Sequence, residues 1–322
     1  KLLKQDWSKP VILLIAGFIT FYPFIFMVQT SFKSSFQFQH DFWLPTFPLQ
    51  PLNYKDAFTE IWPYLVNSFV VSGVTVLLVL GIASFSAYTF ARYDFPGREI
   101  LFLGILGLLM IPGILTLVPS FLIIRDFGLI GTRWALILPY LSGGQVFAIF
   151  IMRSFIAGLP EELYESARID GANHWHMFWR VTMPLCKPIL VTIGVMNILS
   201  TWNDYIWPLV TLPDESLWTV TVGIVKFTGH FQGLEAWGQM FAGYVIASLP
   251  LIVLFLFFGV TRYRVRSVGE YAIGVVLLVV MVLGQGRLAI LLFVIIMFGM
   301  TWPRLRTLKI PVVGLDLLVP DP

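Results

Sequence analysis

Six long apolar runs determine what this chain can fold into. They cover about residues 11–30, 64–90, 100–124, 134–152, 189–210 and 239–260. A helix of about 20 apolar residues crosses the roughly 30 Å hydrocarbon core of a bilayer, and each run is close to that length or longer. Only 12% of the 322 residues are charged, whereas a soluble domain carries about a quarter. The sequence therefore predicts an all-α membrane protein built as a six-helix transmembrane bundle.

The distribution of lysine and arginine predicts the orientation of the bundle. With the N-terminus in the cytoplasm, the inner segments hold Lys1, Lys4, Lys9, Arg92, Arg98, Arg153, Arg168, Arg180, Lys187, Arg262, Arg264 and Arg266. The outer loops then hold only Lys33, Lys55, Arg125, Arg133 and Lys226. Because short cytoplasmic loops carry the excess of cations, we expect a cytoplasmic N-terminus and a cytoplasmic loop over residues 153–188.

Composition and motifs argue against several other functions. The single cysteine, Cys186, allows neither an internal disulfide nor a cysteine-based metal site. His174 and His176 are two residues apart, so on a helix they diverge and make a poor metal pair. The chain has no glycine-rich phosphate loop ending in Gly-Lys-Ser or Gly-Lys-Thr. The net charge of +3 is mild. We therefore expect no bound ATP, metal or nucleic acid on this chain.

The loop over 153–188 carries the clearest local signals. Pro160 and the acids after it suit the start of a helix, and Glu165 is placed to pair with Arg168 three residues later. Gly171 is a natural helix end, and Asn173 can cap a second helix. On that helix Trp175, Phe178, Trp179 and Thr182 share one side, and we expect Pro184 to end it before the fifth span. The prediction is a helix–glycine–helix elbow.

The loop contains Glu165-Ser166-Ala167, three residues, Gly171, nine residues and then Val181-Thr182-Met183-Pro184. In this it resembles the EAA loop of binding-protein-dependent ABC importer permeases, whose spacing it matches throughout. Ser166, Val181 and Met183 are mild departures from the family pattern. The phrases ARYDFPGRE at 91–99 and LIGTRWALILPY at 129–140 extend the likeness to about residues 8–266. The chain is most similar to the smaller six-span subunit of the carbohydrate-uptake, maltose-type branch.

The resemblance implies a location, partners and a mechanism. Such permeases lie in the bacterial cytoplasmic membrane and work with a second, larger permease, a homodimer of ATPase subunits that bind ATP and magnesium, and a periplasmic or lipid-anchored solute-binding protein. In the family, the EAA loop sits in a cleft of the ATPase, and the glutamate at the position of Glu165 engages an arginine there. The residues expected to couple to the ATPase are Glu165, Ser166, Ala167, Asp170, Gly171, Ala172, Trp175, Phe178 and Pro184.

Polar side chains in the fifth span suggest a solute path. The predicted path residues are Asn197, Thr201, Trp202, Asn203, Asp204 and Tyr205, with Gln145 from the fourth span. Asn197, Thr201 and Asp204 would share one helical face, and amide, hydroxyl and aromatic groups suit the hydroxyls and C–H faces of a sugar. The alternative is that this cluster anchors the outer leaflet and links helices by hydrogen bonds.

Two further regions leave their roles open. The outer loops 31–63 and 211–238 are rich in aromatic residues and proline, typical of an interfacial aromatic belt or of a docking surface for an external partner. Residues 267–322 extend beyond the transmembrane domain, 1–266, that the resemblance defines. Their two apolar runs, about 271–284 and 288–302, are short for spans, and they could form a hairpin of thin spans, a re-entrant pair or a buried element.

The leading interpretation is a non-catalytic permease subunit of an ABC importer for sugars of the oligosaccharide class. A second class is a self-sufficient secondary transporter, which would need an inverted repeat and intramembrane charges; only Asp204 qualifies. A membrane enzyme would need a clustered set of acid, base or metal groups, which the sequence does not show. Within the leading class, a non-sugar solute such as glycerol phosphate stays open.

Overall fold

A computed structural model of the chain describes residues 8–233 and 235–262, and all regular elements in these residues are helical. The extension over 267–322 lies outside the described residues. Within them the chain divides into two units, one of residues 24–250 and one that contains residues 8–23 and 251–262. The functional residues considered below all belong to the first unit.

The described elements follow in this order. They are α1 (Ser8–Ser31), α2 (Ser35–His40), α3 (Leu52–Arg92), α4 (Arg98–Leu108), α5 (Gly113–Asp126), α6 (Trp134–Ala157), α7 (Glu162–Ile169), α8 (His174–His176), a π-helical segment (Met177–Thr182), α9 (Met183–Asn203), α10 (Ile206–Thr211), a 3₁₀ turn (Glu215–Leu217), α11 (Val220–Gly233) and α12 (Trp237–Arg262).

Four described helices are long and apolar enough to cross a membrane. They are Leu52–Arg92, Trp134–Ala157, the continuous helix His174–Asn203, and Trp237–Leu254. A fifth crossing is formed if the bent pair α4 and α5 counts as one span. The first predicted span, 11–30, falls within α1, which is not among these candidates. The described residues therefore confirm a helical protein with several apolar spans but not the count of six.

The third predicted span, 100–124, is not one straight helix. It breaks between Leu108 and Gly113, and the two halves meet at a bend of 99°. Pro112 stands at the break with an extended backbone and has no N–H to donate to the preceding turn. The run is helical as predicted, but the proline at its centre ends α4 before α5 begins.

The fifth predicted span, 189–210, is shifted. One continuous helix runs over His174–Asn203, and the chain then breaks at Asp204 before α10. Pro184 does not end the elbow's second helix, as the sequence suggested. The π-helical turns of Met177–Thr182 lie just before it, and their wider winding provides room for the proline ring, which would clash in a regular α-helix.

The main core lies where α3, α6 and α9 pack together. Ala83, Ala87 and Ala148 are 0% exposed, and such small residues allow helix backbones to approach closely within a membrane. Met152 and Ile193 fill the space beside them. This core continues into the elbow, because buried side chains of α7 and of the π-helical segment belong to the same cluster.

The two aromatic loops predicted on the outer side meet each other. The rings of Phe38 and Trp237 stack with centroids 5.0 Å apart, and the Ser35 hydroxyl donates to the Glu235 carbonyl at 2.6 Å. Lys33 is buried and donates to the Asp41 carbonyl at 2.6 Å. Trp43 remains largely exposed. An interfacial belt and a docking surface both stay predictions.

Candidate functional site

The elbow has the glycine hinge that the sequence predicted. Gly171 adopts φ +77°, in the left-handed region that L residues avoid. The N–H of Ala172 donates to the Ala167 carbonyl at 2.9 Å across this turn. Asn173 caps the next helix by accepting from the His176 N–H at 2.9 Å. The reversal between α7 and α8 is thus fixed by backbone geometry and two local hydrogen bonds.

One side of α7 holds the elbow to the bundle. Tyr164 is 2% exposed, and its hydroxyl lies 3.0 Å from the Thr182 hydroxyl in the π-helical segment. Thr182 also donates to the Met177 carbonyl at 3.1 Å, a bond typical of the wider π turn. The ring of Phe178 stacks on Phe85 of α3 with centroids 4.4 Å apart. These contacts connect α7 to the fifth span and the fifth span to α3.

The opposite side of α7 is exposed and acidic. The exposed residues of this face, which we name the acidic face, are Glu162, Leu163, Glu165, Ser166, Ile169 and Asp170. Ile169 is 86% exposed. Ala167 and Ala172 are half-buried behind it. The acidic face therefore presents carboxylates beside one small and two apolar side chains, on a helix that is anchored by its other side.

The predicted pair between Glu165 and Arg168 does not form. Arg168 instead pairs with Glu161, seven residues back, at the start of α7. Glu161 also receives a hydrogen bond from Arg92, so its carboxylate is the better-placed partner. Within the described residues, the Glu165 carboxylate makes no ion pair. It therefore remains available on the acidic face.

The aromatic stripe of the second helix is divided between core and surface. Phe178 and Thr182 are buried, at 2% and 0% exposed, while Trp175 is 60% and Trp179 48% exposed. Trp175 stacks on Phe85 with centroids 5.7 Å apart. Pro184 is exposed one turn further on. The stripe thus both anchors the elbow and presents aromatic surface next to it.

The predicted path residues do not share one face. Asn197, Thr201 and Trp202 are buried, at 9%, 4% and 4% exposed, and the Thr201 hydroxyl donates to the Ser72 hydroxyl of α3 at 2.8 Å. A Cβ built on Gly144 would lie 2.7 Å from the Asn197 Oδ1, so α6 and α9 meet closely at that point. The Thr201 bond fits the interhelical alternative, and a part of these residues in the solute path stays a prediction.

Asp204 departs from that face because α9 ends at Asn203. Its backbone is extended, and its Oδ1 accepts from the N–H groups of Ile206 at 3.1 Å and Trp207 at 3.4 Å, which caps α10. Its Oδ2 accepts from the Tyr140 hydroxyl at 2.9 Å. Asp204 is therefore a helix cap as well as a charge within the bundle.

The other path residues are more peripheral. Asn203 turns its amide back to the Leu199 carbonyl at 2.9 Å, within its own helix. Tyr205 is 38% exposed. The Gln145 amide nitrogen is 3.4 Å from the Val79 carbonyl, and its buried oxygen has no partner among the described residues.

A cavity of about 690 Å³ lies beside Asp204, between α4, α5, α6 and α10. The bend between α4 and α5 forms one wall, so the break in the third span creates this space. Among the described lining residues Asp204 carries the single charge, and the other polar side chains are four hydroxyls and the Trp207 indole, whose N–H donates to the Ala135 carbonyl. These hydroxyls belong to Thr116, Ser120, Tyr140 and Ser142. Sequence reasoning missed Thr116, Ser120 and Tyr140, although Pro112 gave a signal that the run folds back there.

The chain matches known proteins over most of its length. A family model described as binding-protein-dependent transport system inner membrane component matches residues 79–268. The probable ABC transporter permease protein YurM of Bacillus subtilis is 35% identical over 251 residues, covering 77% of this chain and 82% of that protein. The diacetylchitobiose uptake system permease protein NgcG of Streptomyces coelicolor is 31% identical over 250 residues, covering 77% and 82%.

The chain is also similar to another relative and to a solved structure. The arabinooligosaccharides transport system permease protein AraQ of Halalkalibacterium halodurans is 31% identical over 259 residues, covering 79% of this chain and 91% of that protein. A bacterial ABC transporter involved in the import of the acidic polysaccharide alginate superposes with a TM-score of 0.70 at 24% identity, covering 80% of this chain and 95% of that one. This last likeness shows the fold alone.

The class of protein follows from these matches: the chain is an ABC transporter permease. It belongs to the family of binding-protein-dependent transport system inner membrane components. It is accordingly a multi-pass inner-membrane protein and a transport subunit, and the resemblance carried by the EAA loop is confirmed at the level of the family.

Proposed function

We propose that this chain forms one half of the solute path of an ABC importer for oligosaccharides. A second, larger permease forms the other half, two copies of an ATPase subunit supply the motion, and a solute-binding protein delivers the sugar on the outer side. ATP and magnesium bind to the ATPase subunits, while this chain converts their movement into opening and closing of the path. The N-terminus is cytoplasmic in this proposal, as the lysine and arginine distribution favours.

The observation that carries the proposal is the acidic face on an anchored elbow. Glu165, Ser166 and Asp170 are exposed on it, while Tyr164 of the same helix is buried against the fifth span. If a partner binds the exposed side of α7 and moves it, the spanning helices to which the buried side is attached move with it. The exposed carboxylates also fit a partner cleft that offers arginine or lysine.

The family context favours an ATPase as the partner at this face. The elbow lies in the segment that matches the permease family, and its Glu165-Ser166-Ala167 and Gly171 stand at the spacing of the EAA loop. Anionic lipid headgroups would repel the carboxylates of the acidic face, so a lipid surface is the weaker candidate.

Three observations support a neutral sugar as the solute. Two relatives are named for diacetylchitobiose and arabinooligosaccharide transport. The lining of the cavity offers hydroxyl groups of Thr116, Ser120, Tyr140 and Ser142, which can exchange hydrogen bonds with a sugar. The carboxylate of Asp204 at the same cavity would repel an anionic solute such as glycerol phosphate.

The test is reconstitution of the chain with its proposed partners in proteoliposomes. We expect solute-dependent ATP hydrolysis and uptake of a neutral oligosaccharide, and both should require the solute-binding protein. Uptake that persists without ATPase subunits, driven by an ion gradient, would show a secondary transporter instead. Uptake of glycerol phosphate in preference to any sugar would refute the sugar assignment while leaving the permease class intact.

A further inference from the structure

Arg92, the last residue of α3, lies where three helices meet. Its guanidinium donates to the carbonyl oxygen of Ile156 at 2.8 Å, in the last turn of α6, and to that of Leu159 at 2.9 Å, two residues after α6 ends. It also donates to the Glu161 carboxylate at 2.6 Å, at the start of α7. One planar group thus holds the ends of α3 and α6 and the first residue of the elbow.

The same guanidinium covers the anchor residue of the elbow. The Cζ of Arg92 lies 3.8 Å from the centroid of the Tyr164 ring, a distance at which a cation and an aromatic face attract each other. The hydroxyl at the far end of that ring contacts Thr182 at 3.0 Å. Through Arg92 and Tyr164, α7 is therefore connected to α3, α6 and the helix that continues into the fifth span.

Burial makes these contacts difficult for water to replace. The Arg92 side chain is 12% exposed, and Tyr164 beneath it is 2% exposed. Carbonyl groups at a helix end lack partners within the helix and favour a cation. Arginine suits the position because its rigid fork donates several hydrogen bonds at once, which a lysine cannot reproduce.

Arg168 provides a useful contrast on the same carboxylate. It pairs with Glu161 from within α7 itself, and its side chain is 57% exposed. This pair strengthens the elbow internally but connects it to no spanning helix. Both arginines bind the Glu161 carboxylate, but Arg92 alone of the two also binds the Ile156 and Leu159 carbonyls, so it links α7 to another helix.

We propose that Arg92 is the positioning residue that joins the coupling elbow to the ends of α3 and α6. A displacement of α7 is then passed to both spanning helices as well as to the fifth span. Without Arg92, α7 can shift against the end of α6, and motion of the partner is partly lost before it reaches the bundle. The consequence for transport rests on the proposed function, whereas the mechanical link does not.

The experiment compares Arg92→Ala and Arg92→Lys with the control Arg98→Ala in the full chain, reconstituted with its partners in nanodiscs and proteoliposomes. Arg98 is the same residue type six positions later, and it binds the carboxylates of Asp94 and Glu99 and the Tyr93 carbonyl, none of which belongs to α6, α7 or α8. The first readout is solute taken up per ATP hydrolysed. The second is amide hydrogen exchange over residues 156–169.

We expect Arg92→Ala to lower uptake per ATP about fivefold or more, the range of a typical coupling free energy. Arg92→Lys should fall between Arg92→Ala and the wild type, and Arg98→Ala should match the wild type. A variant that was merely less stable would lose uptake and hydrolysis together and keep their ratio. Exchange over 156–169 should be faster in Arg92→Ala than in Arg98→Ala.

An unchanged ratio in Arg92→Ala, or unchanged exchange over 156–169, overturns the inference. If the wild-type assembly shows no ATP-driven uptake, the proposed function fails by itself. The exchange experiment then still decides whether Arg92 holds α7 to the end of α6.

Discussion

Gly171 is the residue at which the elbow depends on a conformation that other L residues avoid. Its φ of +77° would cost an alanine about 1 kcal/mol, even though a Cβ at this position meets no neighbour within 4 Å. We expect Gly171→Ala to reduce uptake per ATP and to loosen the elbow without unfolding the bundle. Gly171→Pro should be more severe, because proline cannot adopt a positive φ.

Gly158 provides the matched control in the same loop. Its φ is −82°, and an added Cβ would lie at an ordinary 3.5 Å from the Phe155 carbonyl oxygen. Gly158→Ala should therefore leave thermal stability and the uptake-to-hydrolysis ratio close to wild type. Equal effects of the two alanine variants would show that the left-handed hinge has no special role.

Individual residues show where sequence reasoning succeeds and where it fails. Gly171 and Asn173 were predictable because their roles depend on local backbone geometry. The pairing of Arg168 was not, because spacing offered Glu165 while the fold placed Glu161 between two arginines. Arg92 was counted only as a cytoplasmic cation, since its contacts with Ile156 and Leu159 join residues more than sixty positions apart.

At the scale of elements, the bond between α7 and the π-helical segment can be tested by one substitution. Thr182→Val keeps the volume of the buried side chain but removes its hydroxyl, which leaves the Tyr164 hydroxyl without that partner. We expect a loss of about 1–3 kcal/mol in stability and a lower uptake per ATP. Thr89→Val, at an exposed position whose hydroxyl bonds only to its own helix, should change neither quantity.

The break after α9 gives a second prediction at this scale. Because Asp204 caps α10 with one oxygen, Asp204→Asn can still accept those hydrogen bonds and should keep the protein folded. Asp204→Ala removes the cap, with an expected loss of about 1 kcal/mol in thermal stability, and should alter uptake. If the negative charge itself contributes to solute selection, the asparagine variant should admit an anionic oligosaccharide that the wild type excludes.

The breaks in the third and fifth spans explain why element boundaries were harder to predict than element types. The apolar runs identified helices correctly because a long apolar segment surrounded by lipid must satisfy its backbone hydrogen bonds internally, as a helix does. Whether Pro112 or Pro184 ends a helix depends on tertiary surroundings. Pro112 ends α4 at a bend of 99°, whereas Pro184 is accommodated beside a π-helical segment, and hydropathy does not distinguish the two cases.

For the whole molecule, the proposed orientation places the elbow and the 3₁₀ turn on opposite sides of the membrane. In a Cys186→Ser background, an impermeant thiol reagent should label Ser216→Cys in intact cells and Ser166→Cys only in inverted vesicles. Both positions are exposed, and Cys186 is buried, so accessibility depends on the side of the membrane. Labelling of Ser166→Cys in intact cells would show that the elbow lies on the outer side, which contradicts the proposed orientation.

The most direct test of the whole account is photo-cross-linking from Ser166, on the acidic face, in the reconstituted importer during turnover. With a photoreactive residue at position 166, we expect a cross-link to an ATPase subunit whose yield changes with the nucleotide state. A photoreactive residue at Ser216 should give no such product. An acidic face that stays free of any ATPase throughout turnover would contradict the account.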